Sequence, residues 1–192
     1  MKLKYNAPVT LSFALMATVI QIISTILGQG STEYLFSAPG AGSFSPTAPL
    51  DYFRLVSHVL GHSGWEHLVG NFTFILLLGP ILEEKYQSSS LIFMMVITAL
   101  VTGILNTLFL STGLMGASGI VFMMILMASF TNIKSGEIPL TFIVVTILFL
   151  GKEFINATQN NDISEFAHIM GGITGALFGF LAPVLNTKVT KS

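Results

Sequence analysis

The sequence predicts an all-α fold, a polytopic membrane helical bundle of six transmembrane helices in a single domain spanning 1–192. Two observations carry this. Asp, Glu, Lys and Arg make up 9% of the 192 residues, where a soluble globular chain has about 25%. Hydrophobic residues make up 52% and the mean hydropathy is +0.79. So few charges cannot coat a soluble globule, and so much apolar side chain is incompatible with disorder. The hydrophobic residues are also gathered into runs that approach the ~20 residues a bilayer-crossing helix needs.

The six runs are 9–27, 65–82, 91–110, 118–130, 138–155 and 166–185. They are too long for barrel strands, and open sheets do not span lipid, so they are helices. The first follows Lys2 and Lys4 but has no clean small-residue cleavage site. With five more apolar runs behind it, it is taken as a retained helix. The connection 28–64 is a long outer loop containing Pro39, Pro46 and Pro49, with Tyr34, Phe36, Phe44, Tyr52 and Phe53 suited to an interfacial position. Lys2, Lys4, Lys85, Lys134, Lys188 and Lys191 fall on one side, Arg54 and Lys152 on the other. By the positive-inside rule both termini face the cytoplasm of a cell-membrane, multi-pass protein.

Several chemistries are excluded. Eight basic residues and a net charge of −1 leave no nucleic-acid footprint. Without Cys there is no disulfide, thiolate ligand or Cys nucleophile. The four histidines are His58, His62, His67 and His168.

Polar groups inside spanning helices are costly and mark function. The second run carries Glu66, His67 and Asn71, the fourth opens on Ser118, and the sixth opens on His168, all toward the outer side. The fourth run is 13 residues, about 20 Å long. It therefore starts roughly 10 Å below the outer surface of a ~30 Å core. Its preceding loop must dip into the membrane, which is tolerated only around a cavity or within protein. Ser118 there is either a plain N-cap or a nucleophile facing a wet pit. Gly116 and Gly119 supply small neighbours. In the sixth run Gly171, Gly175 and Gly179 form a small-residue stripe shared by His168, which permits close approach of another helix. His67 and Asn71 are four apart and project from one face, where both could donate to an oxyanion. The competing arrangement is a metal held by His58, His62 and His67. The Ser63-Gly64 break and the lack of a carboxylate at a matching offset disfavour it, so no metal or other cofactor is expected. His58 and His62 are expected to bond loop backbone.

Taken together, Phe53-Arg54, His58-x3-His62-x4-His67-x3-Asn71, Gly79, Glu83, Gly116-Ala117-Ser118-Gly119 and Ala167-His168-x2-Gly171-x3-Gly175 resemble the rhomboid family of intramembrane serine proteases. The resemblance implies Ser118 as nucleophile and His168 as general base. It implies His67, Asn71 and the Ser118 backbone N–H as the oxyanion site, and transmembrane proteins as substrates within the bilayer. The chain departs from the pattern at Phe53, where Trp is common, at Pro80, where a second Gly is common, and at Phe122, where a Tyr often stacks on the catalytic His. None of these removes a reacting group. The alternative expectation is a non-proteolytic rhomboid-like scaffold that binds membrane proteins; a transporter ranks last. The sequence leaves the oligomeric state open.

Overall fold

A computed structural model describes residues 5–28 and 30–130, together with isolated helical positions at Leu140, Ile143, Val144, Ile147, Leu148, Ile173, Thr174 and Leu177. The bodies of the expected fifth and sixth helices, 138–155 and 166–185, otherwise lie outside the described residues. The regular structure of the described residues is helical, apart from an isolated antiparallel bridge between Ala38 and Leu114. Its elements are α1 (Pro8–Leu27), α2 (Gly30–Phe36), α3 (Pro49–Ser57), a 3₁₀ turn (His58–Leu60), α4 (Trp65–Tyr86), α5 (Ser88–Phe109) and α6 (Ser118–Phe130). Among the described residues α1, α4 and α5 are long and apolar enough to cross a membrane. Their 20 and 22 residues give about 30 Å and 33 Å. The protein is a polytopic helical membrane bundle.

The end of α4 anchors the starts of two neighbours. Pro8 begins α1, where its missing N–H is no loss. The next free donors, Val9 N–H and Thr10 N–H, donate to the two Glu83 carboxylate oxygens at 2.9 and 3.0 Å. The Thr10 hydroxyl adds a third bond at 2.9 Å, and the Ser88 hydroxyl at the start of α5 a fourth at 2.7 Å. A buried carboxylate is thus fully paired and lies at a helix N-terminus, where its charge is favoured. It also fixes the starts of α1 and α5 on the same membrane side as the end of α4. At the opposite side the Trp65 indole N–H donates to the Thr25 hydroxyl at 3.0 Å, joining the start of α4 to the end of α1.

The connection 28–64 is more ordered than a loop. It folds into α2, α3 and the 3₁₀ turn. Arg54 organises it, donating from Nε to the Ser37 carbonyl at 2.6 Å and pairing with Asp51 at 3.0 Å. Asp51 in turn accepts the Ser45 N–H at 2.8 Å. Helix α3 packs on α5 where Gly103 admits the Leu55 backbone.

Helix α6 is the centre. Gly119 through Met127 are all buried, whichever way their side chains point. A helix apolar all round belongs in the middle of a bundle. It packs against α4 and α5.

Candidate active site

Ser118 is the first residue of α6. It is half-buried, while Ala117 and Gly119 on either side are buried. The segment leading to it lacks regular structure, so its peptide groups need other partners. The first connection supplies them. Ala38 N–H and Leu114 N–H each donate to the other residue's carbonyl at 2.9 and 3.0 Å, and Ala41 N–H donates to Leu110 O at 2.6 Å. The Asn106 amide donates to Thr112 O at 2.9 Å and to Pro39 O at 3.3 Å. Gly116 N–H donates to His58 O at 3.0 Å. The descent to Ser118 is therefore held by main-chain bonds from the ordered connection.

Gly116 has φ of +129°, a region that favours glycine. A Cβ built there would lie 2.7 Å from His67 Cε1, 2.8 Å from His67 Nε2 and 3.8 Å from Asn71 Nδ2. The structure thus brings the His67 ring and the Asn71 amide against the backbone two residues before Ser118. Asn71 lies six residues into α4, about 9 Å along its axis, so this contact is recessed from the start of that helix. Asn71 is buried, and its Nδ2 has no hydrogen-bond partner among the described residues. His67 Nδ1 is 3.1 Å from the Ser63 hydroxyl, which leaves the Nε2 edge toward Gly116.

The sequence marked Ser63 only as part of a break in the chain; its position four residues before His67 was the available signal for this bond. Phe122, one turn after Ser118, is buried in the bundle. His168 and Gly171 lie outside the described residues.

The other two histidines serve differently. His58 is buried, and its Nε2 is 3.0 Å from the Ala99 carbonyl of α5, so it bonds helix backbone. Burial lowers its pKa to about 4, partly opposed by that bond. The His62 ring packs edge-on against His67, with centroids 5.0 Å apart, and against Phe72 at 5.7 Å. Burial, with added repulsion from His67, lowers its pKa to about 3. Both rings are neutral near pH 7. Among the described residues no group of three or more His, Cys, Asp or Glu side chains is arranged to hold a metal.

Known proteins are similar to this chain in sequence. The chain is 23% identical to the rhomboid protease GlpG of Haemophilus influenzae over 74% of this chain and 73% of that protein. It is 27% identical to the rhomboid protease GlpG of Serratia proteamaculans over 90% of this chain and 62% of that one. It is 31% identical to rhomboid-related protein 1 of Caenorhabditis elegans over 81% of this chain and 47% of that one. The chain thus spans between about half and three quarters of the length of these relatives. Residues 49–183 match the rhomboid domain, a stretch that runs from the start of α3 through the whole descent to Ser118 and beyond. A helical membrane bundle with that match over most of its length belongs to the rhomboid family.

Proposed function

We propose that the protein is an intramembrane serine endopeptidase that cleaves transmembrane proteins within the bilayer. One observation supports this above the rest. His67 and Asn71, two side chains able to donate hydrogen bonds, converge on the backbone immediately before a half-buried serine at the start of the central helix.

Ser118 Oγ attacks the scissile carbonyl carbon while the His168 imidazole takes its proton. The carbonyl oxygen becomes an oxyanion, met by the Ser118 N–H, the Asn71 amide and His67. With the Ser63 hydroxyl donating to His67 Nδ1, Nε2 carries the ring proton and is the donor. The C–N bond breaks as the imidazolium returns the proton to the leaving amine. Water then attacks the acyl-enzyme, giving its proton to His168, and Ser118 is released as the free hydroxyl. In this reading Phe122 is assigned as the ring partner of His168, Gly116 and Gly119 as the small neighbours of Ser118, and Gly171 as a supporting position of the small-residue stripe in the sixth run. No cofactor takes part. The Lys/Arg distribution supports a cytoplasmic location for both termini, and the shared side of the α1 start and the α4 end supports an alternating path for the described helices.

The test is reconstitution of the protein with a panel of single-span substrates. Wild type should cleave at least one of them. Ser118→Ala and His168→Ala should not, and a fluorophosphonate probe should label Ser118. Cleavage by Ser118→Ala at the wild-type rate overturns the mechanism. Substrate capture by wild type without any cleavage points to the scaffold instead.

A further inference from the structure

Between the first halves of α1 and α5 lies a cleft of about 750 Å³, roofed by the end of α3 and the 3₁₀ turn and floored by Ile120 of α6. Its walls include Phe13, Met16, Val59, Met95 and Val96, and polar groups are confined largely to Ser12, Ser57 and Ser88. The 3₁₀ turn touches both α1 and α5, and α3 packs on α5, so these elements cover one end of the cleft. The Glu83 cluster fixes the starts of both walls at the same depth.

What fills it follows from its surroundings and its size. Met16, Ile92 and Val96 are 49%, 49% and 42% exposed on helices that cross the membrane. The mouth therefore continues the surface that faces lipid tails. Water has no partners in such a space. A second transmembrane helix, about 10 Å across and 30 Å long, occupies roughly 2,400 Å³, more than three times what the cleft holds. By the scale on which an apolar cavity of about 150 Å³ takes one benzene, the cleft has room for on the order of 30 carbons, one or two acyl chains. At the rim, exposed Tyr5 bonds Ser12 at 2.9 Å, in a position suited to the headgroup region.

We propose that this cleft is a binding site for a phospholipid of the leaflet on the side of the α1 N-terminus, with an acyl chain inserted beneath the 3₁₀ turn. The chain packs on Val59 and Leu60, next to His58, whose carbonyl holds Gly116. Lipid thus props, from below, the support of the loop that leads to Ser118.

The test uses the full chain in phosphatidylcholine vesicles doped with a phosphatidylcholine whose acyl chain carries a mid-chain diazirine. After irradiation, label is mapped by mass spectrometry. Val59 is only 7% exposed, so a chain reaches it only from inside the cleft. Label is expected at Val59 and Leu60 as well as at Leu77, which is 63% exposed on the outer face of α4. Val96→Trp, and separately Met16→Trp, each place an indole at the mouth from opposite walls. Either should cut labelling at Val59 and Leu60 severalfold and leave Leu77 unchanged. Label at Leu77 with none at Val59 or Leu60 in wild type overturns the proposal. So does labelling of the turn that both folded Trp variants leave intact. Displacement of that label by excess single-span substrate would assign the cleft to substrate and overturn it too.

Discussion

His67 Nε2 stands 2.8 Å from the point where a Cβ on residue 116 would lie. The space between the α4 ring and the loop before Ser118 is the width of a hydrogen atom on Gly116. Gly116→Ala must either displace His67 or move the loop, and its positive φ adds strain. A displacement near 1 Å at a reacting group costs on the order of 10²-fold. The variant is expected to lose activity on that scale while thermal melting shows it still folded. A folded Gly116→Ala with wild-type kcat would mean that His67 has no part in the reaction.

Asn71→Ala and His67→Ala are expected to lower kcat more than they raise KM, because their bonds strengthen as the oxyanion forms. Loss of one such donor costs about 10²–10³. Where donors overlap, the single losses are smaller and the double variant more severe. The buried Asn71 Nδ2, unpartnered among the described residues, makes a further distinction. Removing it should leave Tm nearly unchanged, since no bond within the described fold is lost. A fall in Tm with unaltered kcat in the folded fraction would identify packing residues instead.

Glu83 should behave in the opposite way. Its carboxylate accepts four bonds that join α1, α4 and α5. Bonds to a charged group contribute about 1.5–3 kcal/mol each and do not add fully. Glu83→Ala is expected to destabilise the fold by roughly 3 kcal/mol or more, and Glu83→Gln by less, since its amide oxygen still accepts. The molecules that remain folded should keep their kcat, because Glu83 lies at the end of α4 remote from Ser118. Equal melting temperatures for wild type and Glu83→Ala would refute the anchoring role.

His58 and His62 make stability depend on pH. Their folded pKa values, about 4 and about 3, lie below the ordinary 6.5. Between these values the unfolded chain binds more protons than the folded one, so stability falls as pH falls from about 6.5. The slope reaches at most about 1.4 kcal/mol per pH unit for each ring. Melting measured from pH 7.5 down to 5 should show Tm decreasing. His62→Phe, which keeps a ring against Phe72, should flatten part of that decrease. An unchanged profile would mean that His62 is not kept neutral by the fold.

The membrane-bundle class was legible in the residues because it depends on the length and composition of each run by itself. The interior of 28–64 was not. Its helices are short: α3 has nine residues and α2 seven. Isolated helices of that size are marginal in water, and here they are held by distant partners, Gly103 under Leu55 and Ser37 under Arg54. The histidines divide similarly. The four-residue step from His67 to Asn71 was visible as one helix face. That His58 turns its ring to Ala99, rather than to loop backbone, depends on where α5 runs.

By itself, then, the sequence determined that this chain lives in a bilayer as packed helices, and it marked the polar residues His67, Asn71 and Ser118 inside two of them. Hydropathy is a local property, and burying an unpaired polar group in hydrocarbon is too costly to be incidental. Only the tertiary structure decided which of those groups meet. Gly116 and His67 are 49 residues apart, and Glu83 and Thr10 are 73 apart. Such pairs form when α4 packs on α6 and on α1, and close packing is set by the shapes of whole surfaces rather than by any local pattern.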